Sequence, residues 1–524
     1  MHSSVRDKAI QEIKGRVLER IGSDPDAIFR VLADSLYHEH QRLKNDREAP
    51  RYAEDKAFWS KVRKELGQGD PGRRRVLLEE AVDRYADEIA GEINPMAYRL
   101  VSRVVPHMLS AILNPPLPHR ILKKGDGGFP SIERNIRIEG HVDSLCRLRD
   151  RGRIILAPTH LSHMDSVVVG YVLSTLGLPP FLYGAGLNLF TNPLLSASMN
   201  NLGAYKVDRK KKHKLYKDVL KEYCTVTLEY GYDNLFFPGG TRSRSGAIET
   251  RLKMGLLGCG LKAYQNNLRN KKTQPKIFVV PATLSYHIVL EAETLIEDYL
   301  QEAGKSQYII EYDESRQLNR VWKFMRDLIR LDGRIYCSFG RPLDPFGNLV
   351  DDEGISHDHR GRPIDISKYV IRRGELTVDD QRDREYTINV AQGILESYRQ
   401  ENVVLSTNIL TRALWTILLE RTEDRNTFKL LRGALTEPRV ATASVLKRLA
   451  MLRDEVVALA EAGRLRIEKA LRNASPISIM NDAMKHLSSY HKVVVIAREG
   501  DHLIPKDFDL LFYYSNRLDG YGLE

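Results

Sequence analysis

The chain has 524 residues, 42% of them hydrophobic and 28% charged, and Lys plus Arg outnumber Asp plus Glu by 80 to 69, a formal charge of +11. That length accommodates two or three domains and at least one large core, and the supply of Leu, Ile and Val excludes a disordered chain. The positive surplus favours an anionic partner, without choosing between nucleic acid, acidic lipid and a phosphorylated small molecule.

From the N-terminus, "MHSSVRDKAIQEIKGR" has no apolar h-region, and no segment reaches about 18 uninterrupted apolar residues, so neither a secretory signal nor a membrane span is expected. Residues 1–128 read as helical. In "SDPDAIFRVLADSLYHEH", Asp24 caps a helix that starts with Pro25 and carries Ile28, Val31, Leu32 and Leu36 on one stripe. Residues 95–113 place Met96, Leu100, Val101, Val104, Met108, Leu109 and Ile112 on one helical face, with Arg99, Arg103 and His107 on another. Two readings stand there: a helix lying in a membrane interface, or an ordinary amphipathic helix resting on its own domain.

Residues 129–345 change character. Short aliphatic runs ("RIILAP", "NLFFP", "KIFVVPATLSY") alternate with helical stretches such as "KLYKDVLKEYCTVTLEYG", the rhythm of an α/β domain with a largely buried sheet flanked by helices. A polar linker, "GRPLDPFGNLVDDEGISHDHRGRPIDIS", follows. Its His357, Asp358 and His359 read as solvated loop rather than metal ligands, because no second ligand group follows at a recognised spacing. Residues 346–524 then return mostly to helix. No internal repeat or low-complexity tract is evident. The four cysteines, Cys146, Cys224, Cys259 and Cys337, form no Cys-x-x-Cys pair and suggest a reducing compartment.

Candidate chemistry lies in the middle segment. In "APTHLSHMDS" the run Ile154–Leu156 reads as a strand ended by Pro158, which puts His160 at the strand's exit, where open α/β sheets gather their chemistry. Residues five apart in a regular helix diverge by about 140°. With His160 on the turn and Asp165 in the first turn of the following helix, however, the two can meet. Asp165 then reads equally well as the orienting partner of a histidine general base or as a helix cap.

In "FFPGGTRSRSG" a strand runs into Gly239 and Gly240, then Thr241, Arg242, Ser243 and Arg244, an anion cradle of amides, hydroxyls and guanidinium groups that lacks the P-loop pattern. Between these stretches, the basic run Arg209 to Lys214 reads as mainly solvent-facing, with Arg209 and Lys214 flanking it and free to do more. Pro281, in "VVPATLSY", lies on a buried strand that could wall the same pocket.

Taken in order, His160-x-x-x-x-Asp165, "GAYKVDR", "FPGGTRSRSG" and "VVPATLSY" resemble the four sequence blocks of the glycerolipid acyltransferases, and more narrowly the bacterial and mitochondrial-type glycerol-3-phosphate acyltransferases. The resemblance covers residues 90–400, and "HKLYKDVLKEY", "SYHIVLE" and the terminal "FYYSNRL" extend it. It implies a central acyltransferase domain in which His160 deprotonates the sn-1 hydroxyl of glycerol 3-phosphate and Asp165 supports it. Arg209, Arg242 and Arg244 would hold the phosphate, with Lys214 a weaker counterpart. Gly240, Thr241 and Ser243 would shape the cradle, and Pro281 would stand in its wall. No metal or cofactor is implied beyond an acyl-CoA or acyl carrier protein thioester as co-substrate.

The third block departs from the pattern, because Gly239 stands where the family usually has Glu. The retained His160, Asp165, Arg242 and Arg244 favour an active enzyme. Acceptors other than glycerol 3-phosphate, namely dihydroxyacetone phosphate or lysophosphatidic acid, are the nearest rivals. A non-catalytic basic lipid-binding protein is a further alternative, and no nucleic-acid motif is present. The expected location is peripheral, at the cytoplasmic face of a membrane with an anionic surface.

Overall fold

The aliphatic runs of the middle segment form one sheet. The computed structural model describes residues 3–47, 51–68, 70–91, 135–187, 203–303, 333–433, 435, 437–488 and 490–523. Within them seven strands pair in the order β1-β7-β6-β2-β5-β3-β4. These are β1 (Ile136–Gly140), β2 (Arg153–Pro158), β3 (Leu182–Gly186), β4 (Ala204–Val207), β5 (Asn234–Leu235), β6 (Ile277–Tyr286) and β7 (Ile335–Phe339). Strands β2 to β6 are mutually parallel; β7 runs antiparallel to β6 and parallel to β1, so the sheet is mixed. All 10 residues of β6 are buried, which explains why its sequence is a continuous apolar run rather than an alternating one. Pro281 sits opposite Ala157 of β2, and its carbonyl accepts from the Gly340 amide at 2.9 Å.

Among the described residues, four helices precede the sheet: α1 (Ser3–Ile21), α2 (Pro25–Asn45), α3 (Tyr52–Leu66) and α4 (Pro71–Ile89). Asp24 caps α2 as expected, accepting from the amides of Asp26 and Ala27 with Pro25 in the first turn. The segment 95–113 lies outside the described residues. The helices share a second apolar core with residues of β3, β4 and α7 (Lys214–Glu229).

The basic run turns out to be a clamp between these layers rather than a uniformly solvated stretch. Arg209, Lys210, Lys212 and Lys214 face solvent, but Lys211 and His213 turn inward. Lys211 Nζ bonds Glu88 of α4 at 2.5 Å, and His213 Nε2 lies 3.3 Å from Glu39 of α2. Burial opposes ionisation of Glu39, yet His213, Lys211 and Arg42 together hold its carboxyl at about 2. Only Lys211 and His213 turn into the helical layer, from a turn and the loop before α7, which a count of charges does not reveal.

After β7 the polar linker proves to be a repeat. Asp344, Asp351 and Asp358 recur every seven residues, and each Oδ1 accepts the amides two and four positions on. Each is followed three residues later by a glycine at positive φ: Gly347 at 94°, Gly354 at 75° and Gly361 at 75°. These are tight type I turns closed by a left-handed glycine, stacked one after another. The period escapes a scan for longer repeats because only Asp and Gly are fixed in it.

Among the strands lie α5 (Val142–Arg149), α8 (Met254–Arg269) and α9 (Ala292–Ala303), and past the linker come α10 (Asp380–Gln400), α11 (Ser406–Glu420), α12 (Thr427–Leu431), α13 (Thr442–Glu461), α14 (Pro476–Leu487) and α15 (Phe508–Ser515). Ile394, Leu410, Leu414 and Leu511 from this region belong to the same apolar core as Ile155, Val280 and Leu284 of the sheet. Replacing Lys211 with Met leaves Glu88 buried with no cation. Denaturant unfolding is expected to show a loss of about 3–5 kcal/mol, whereas Lys212→Met, on the solvent side, is expected to leave stability within about 0.5 kcal/mol.

Candidate active site

The parallel strands β2, β4, β5 and β6 bring their carboxyl ends to one edge of the sheet, and the candidate residues follow those ends. Pro158 ends β2 and His160 stands two residues on. Its Nδ1 lies 2.8 Å from Asp165 Oδ2, at the start of α6 (Asp165–Thr175). Because a carboxylate only accepts, Nδ1 carries the proton there and Nε2 is left as the basic nitrogen.

The two readings of Asp165 merge. Its Oδ2 also accepts the amides of Leu161 at 2.7 Å and Ser162 at 2.9 Å, and its Oδ1 accepts the Tyr286 hydroxyl at 2.5 Å. These amides belong to the loop before the helix and not to its first turn, so Asp165 clasps the loop that carries His160. The Asp165 side chain is fully buried, and the His160 side chain is 8% exposed. Burial is the main force that draws the imidazole below its ordinary pKa, with Arg242 adding to it, against the opposing hydrogen bond to Asp165. Phe237 stacks on the imidazole, ring centres 4.1 Å apart.

The glycine-rich loop holds the backbone of the same histidine. The Ser243 amide donates to the His160 carbonyl at 2.7 Å, and the His160 amide donates to Glu249 Oε1 at 2.8 Å. The Ser243 hydroxyl is engaged within the loop, donating to the Ala247 carbonyl at 2.7 Å. Gly240 has φ of 77°, and a Cβ there would lie 2.5 Å from the Lys253 side chain, so Gly240 lets that lysine lie across the turn. A Cβ on Gly239 would lie 3.2 Å from Glu249 Cγ. A carboxylate thus stands beside the turn although position 239 contributes none.

Positive charge collects around this turn. Arg209, solvent-accessible but crowded at the end of β4, is lowered by desolvation and then by Arg242. Lys253 is lowered by desolvation and then by Arg209. Among the described residues no carboxylate pairs with Arg209 or Lys253, so a phosphate-sized anion would relieve the crowding of Arg209, Arg242 and Lys253. Arg242 is steered by Glu291, 3.5 Å away. Glu291 also accepts from the Ser162 hydroxyl at 2.7 Å and the His163 amide at 3.1 Å, which ties the guanidinium to the histidine loop.

Other expected residues stand further off. Arg244 pairs with Glu302 of α9 at the surface, and Thr241 is exposed on the loop. Lys214 is exposed at the start of α7, and no described interaction joins it to His160 or Arg242. Pro281 is buried within the sheet, so it forms structural wall rather than pocket lining. The chain's end braces the loop from behind: the Asn516 side-chain amide donates to the Ser245 carbonyl at 2.9 Å, and a Cβ on Gly246 would fall 2.2 Å from the Tyr513 carbonyl.

Four residues of the site carry no signal in the local motifs. Tyr286 and Glu291 lie in recognisable stretches but have ordinary strand and helix-start identities, and Glu249 and Lys253 lie beyond the glycine-rich loop. Tyr286→Phe removes a donor from the buried carboxylate. The expected cost is about 1.5–3 kcal/mol in unfolding. The less solvated Asp165 then favours the imidazolium, so the acidic limb of the pH–activity profile should move to higher pH; an unmoved limb with unchanged stability would count against this arrangement.

Residues 139–285 match the family model described as Acyltransferase. A glycerol-3-phosphate acyltransferase of Actinobacillus succinogenes is 29% identical over 305 residues, 57% of this chain and 33% of that protein. The glycerol-3-phosphate acyltransferase of Pseudomonas entomophila is 28% identical over 283 residues, 52% of this chain and 32% of its own. The match therefore spans about a third of these relatives' own length. His160, Asp165, Arg209, Arg242 and Tyr286 lie within or directly beside the matched stretch, and this chain carries a domain of the acyltransferase family.

Proposed function

We propose that the protein is a glycerol-3-phosphate 1-O-acyltransferase. The single observation that carries this reading is the buried Asp165–His160 pair whose histidine loop is tied through Glu291 to Arg242, a general base beside an anion site. His160 Nε2 accepts the proton of the sn-1 hydroxyl. The oxygen then attacks the thioester carbonyl, the carbon–sulfur bond breaks, and the imidazolium returns the proton to the departing thiolate. Asp165 stabilises the transient imidazolium, and Arg209, Arg242 and Lys253 hold the phosphate two carbons away.

The similarity to proteins named glycerol-3-phosphate acyltransferase supports the acceptor. The donor is proposed as an acyl-CoA or acyl carrier protein thioester, with no metal or cofactor in the transfer itself. The product is amphiphilic, and the +11 surplus suits attachment to an anionic membrane at its cytoplasmic face. No helix among the described residues is long and apolar enough to cross a membrane.

Burial sets the sign of the pH effects. A histidine held neutral binds its proton less well folded than unfolded, so stability is lost as pH falls below the ordinary imidazole value of about 6.5. The full chain, offered glycerol 3-phosphate, dihydroxyacetone phosphate and lysophosphatidic acid with CoA and carrier-protein thioesters, is expected to prefer glycerol 3-phosphate. His160→Ala should cut turnover by about 10²–10⁴-fold while acceptor binding survives, and Arg242→Ala should chiefly raise the acceptor KM. Preference for another acceptor, or turnover that survives loss of His160, would overturn the proposal. In flotation the same preparation is expected to rise with anionic vesicles and not with neutral ones; equal recovery removes the electrostatic attachment.

A further inference from the structure

A second cluster of convergent side chains lies behind the dyad. His287 directly follows Tyr286 at the end of β6. Asp482 and His486 stand at i and i+4 on one face of α14, and Glu468 comes from the segment before it. Ligand-capable atoms of His287, Asp482 and His486 all fall within 4.8 Å of one another. His287 Nε2 is 3.5 Å from Glu468 Oε2 and 3.9 Å from Asp482 Oδ2, and His486 Nε2 is 3.8 Å from Asp482 Oδ1. The two imidazole rings are stacked, 4.3 Å between centres.

These separations are too long for hydrogen bonds and too short for indifference. Donors around a tetrahedral ion at about 2.0–2.2 Å stand roughly 3.3–3.6 Å apart, so an ion would draw together donor atoms that now lie within 4.8 Å of one another. His287 Nε2 is buried without a hydrogen-bond partner, on a side chain 2% exposed, and it points into the cluster. Its Nδ1 accepts from the Arg334 amide at 3.1 Å and lies 3.3 Å from the Arg334 carbonyl, contacts that fix the orientation of the ring. The Ser406 hydroxyl donates to Asp482 Oδ2 at 2.6 Å and orients that carboxylate in the same way. A cavity of about 130 Å³ adjoins the four side chains, and Asp482, 44% exposed, opens it to solvent.

The charges agree. Arg334 takes one oxygen of Glu468, Oε1 at 2.8 Å, and leaves Oε2 facing His287.

We propose that His287, Asp482, His486 and Glu468 bind one divalent transition-metal ion of the zinc class. Two imidazoles with two carboxylates suit zinc or cobalt better than magnesium or calcium, and four protein ligands mark the site as structural. The ion pins the end of β6, whose Tyr286 holds Asp165, to α14. It takes no part in acyl transfer, and the inference stands independently of the reaction proposed above.

The test uses the full chain, stripped with chelator, dialysed and titrated with Co²⁺ alone. One equivalent is expected to give saturable visible absorption of tetrahedral Co²⁺, displaced by one equivalent of Zn²⁺, together with a raised thermal midpoint. His486→Gln and Asp482→Asn, each checked by circular dichroism for a native fold, should lose both the band and the metal-dependent stabilisation. Absence of a saturable band in the unaltered chain overturns the proposal, as does an unchanged band in both variants. Should one variant fail to fold, the other decides.

Discussion

The carboxylate of Asp165 is the point at which fold and chemistry meet. It is fully buried and accepts four hydrogen bonds: one from the imidazole of His160, two from the amides of Leu161 and Ser162, and one from the phenol of Tyr286. A buried carboxylate without such donors would take up a proton or disrupt the core. Here the same donors fix the turn after β2, so the imidazole is held at a defined tautomer without a helix having to span the five residues between them. Burial on one side and the hydrogen bond on the other then set the balance for His160, and burial prevails.

Around this point the architecture repeats one device, in which a single acidic side chain organises a loop and a cation together. Glu291 holds the Ser162–His163 segment and Arg242; Glu249 holds the His160 amide and lies against Gly239. Further out, Glu88 and Glu39 hold Lys211 and His213 and so fasten the N-terminal helices to the turn that bears Arg209. The resulting frame leaves Arg209 and Lys253 close to one another with no described carboxylate between them. Both pKa values are depressed by desolvation first and by a neighbouring guanidinium second, Arg242 for Arg209 and Arg209 for Lys253, which is the electrostatic cost that the proposed anion would relieve.

Much of this was legible in the sequence, for identifiable reasons. His160 and Asp165 are near neighbours in the chain, and the strand before them is a continuous apolar run, so strand, turn and helix start could be read in order. The largely buried sheet followed from the same rhythm. Tyr286, Glu249 and Glu291 escaped because each reaches the dyad across tens of residues or more, and a lone Tyr or Glu in a strand end or loop has no local pattern to betray it. Charge counting misled at Arg209–Lys214, where Lys211 and His213 turn into the helical layer while their neighbours face solvent. The Asp-Gly turns between Asp344 and Asp358 passed for an irregular linker because their period is short and carried by two residue types.

Central to all of this is a neutral His160 with its proton on Nδ1 and its Nε2 bare. Nitrogen-15 NMR of histidine-labelled full chain, with the His160 signals assigned by their loss in a His160→Gln variant, observes both nitrogens directly across the pH range. A protonated Nδ1 and an unprotonated Nε2 at neutral pH, with imidazolium forming only below the ordinary histidine value of about 6.5, is the expected result. A proton on Nε2 at neutral pH, or titration at or above that value, would contradict it.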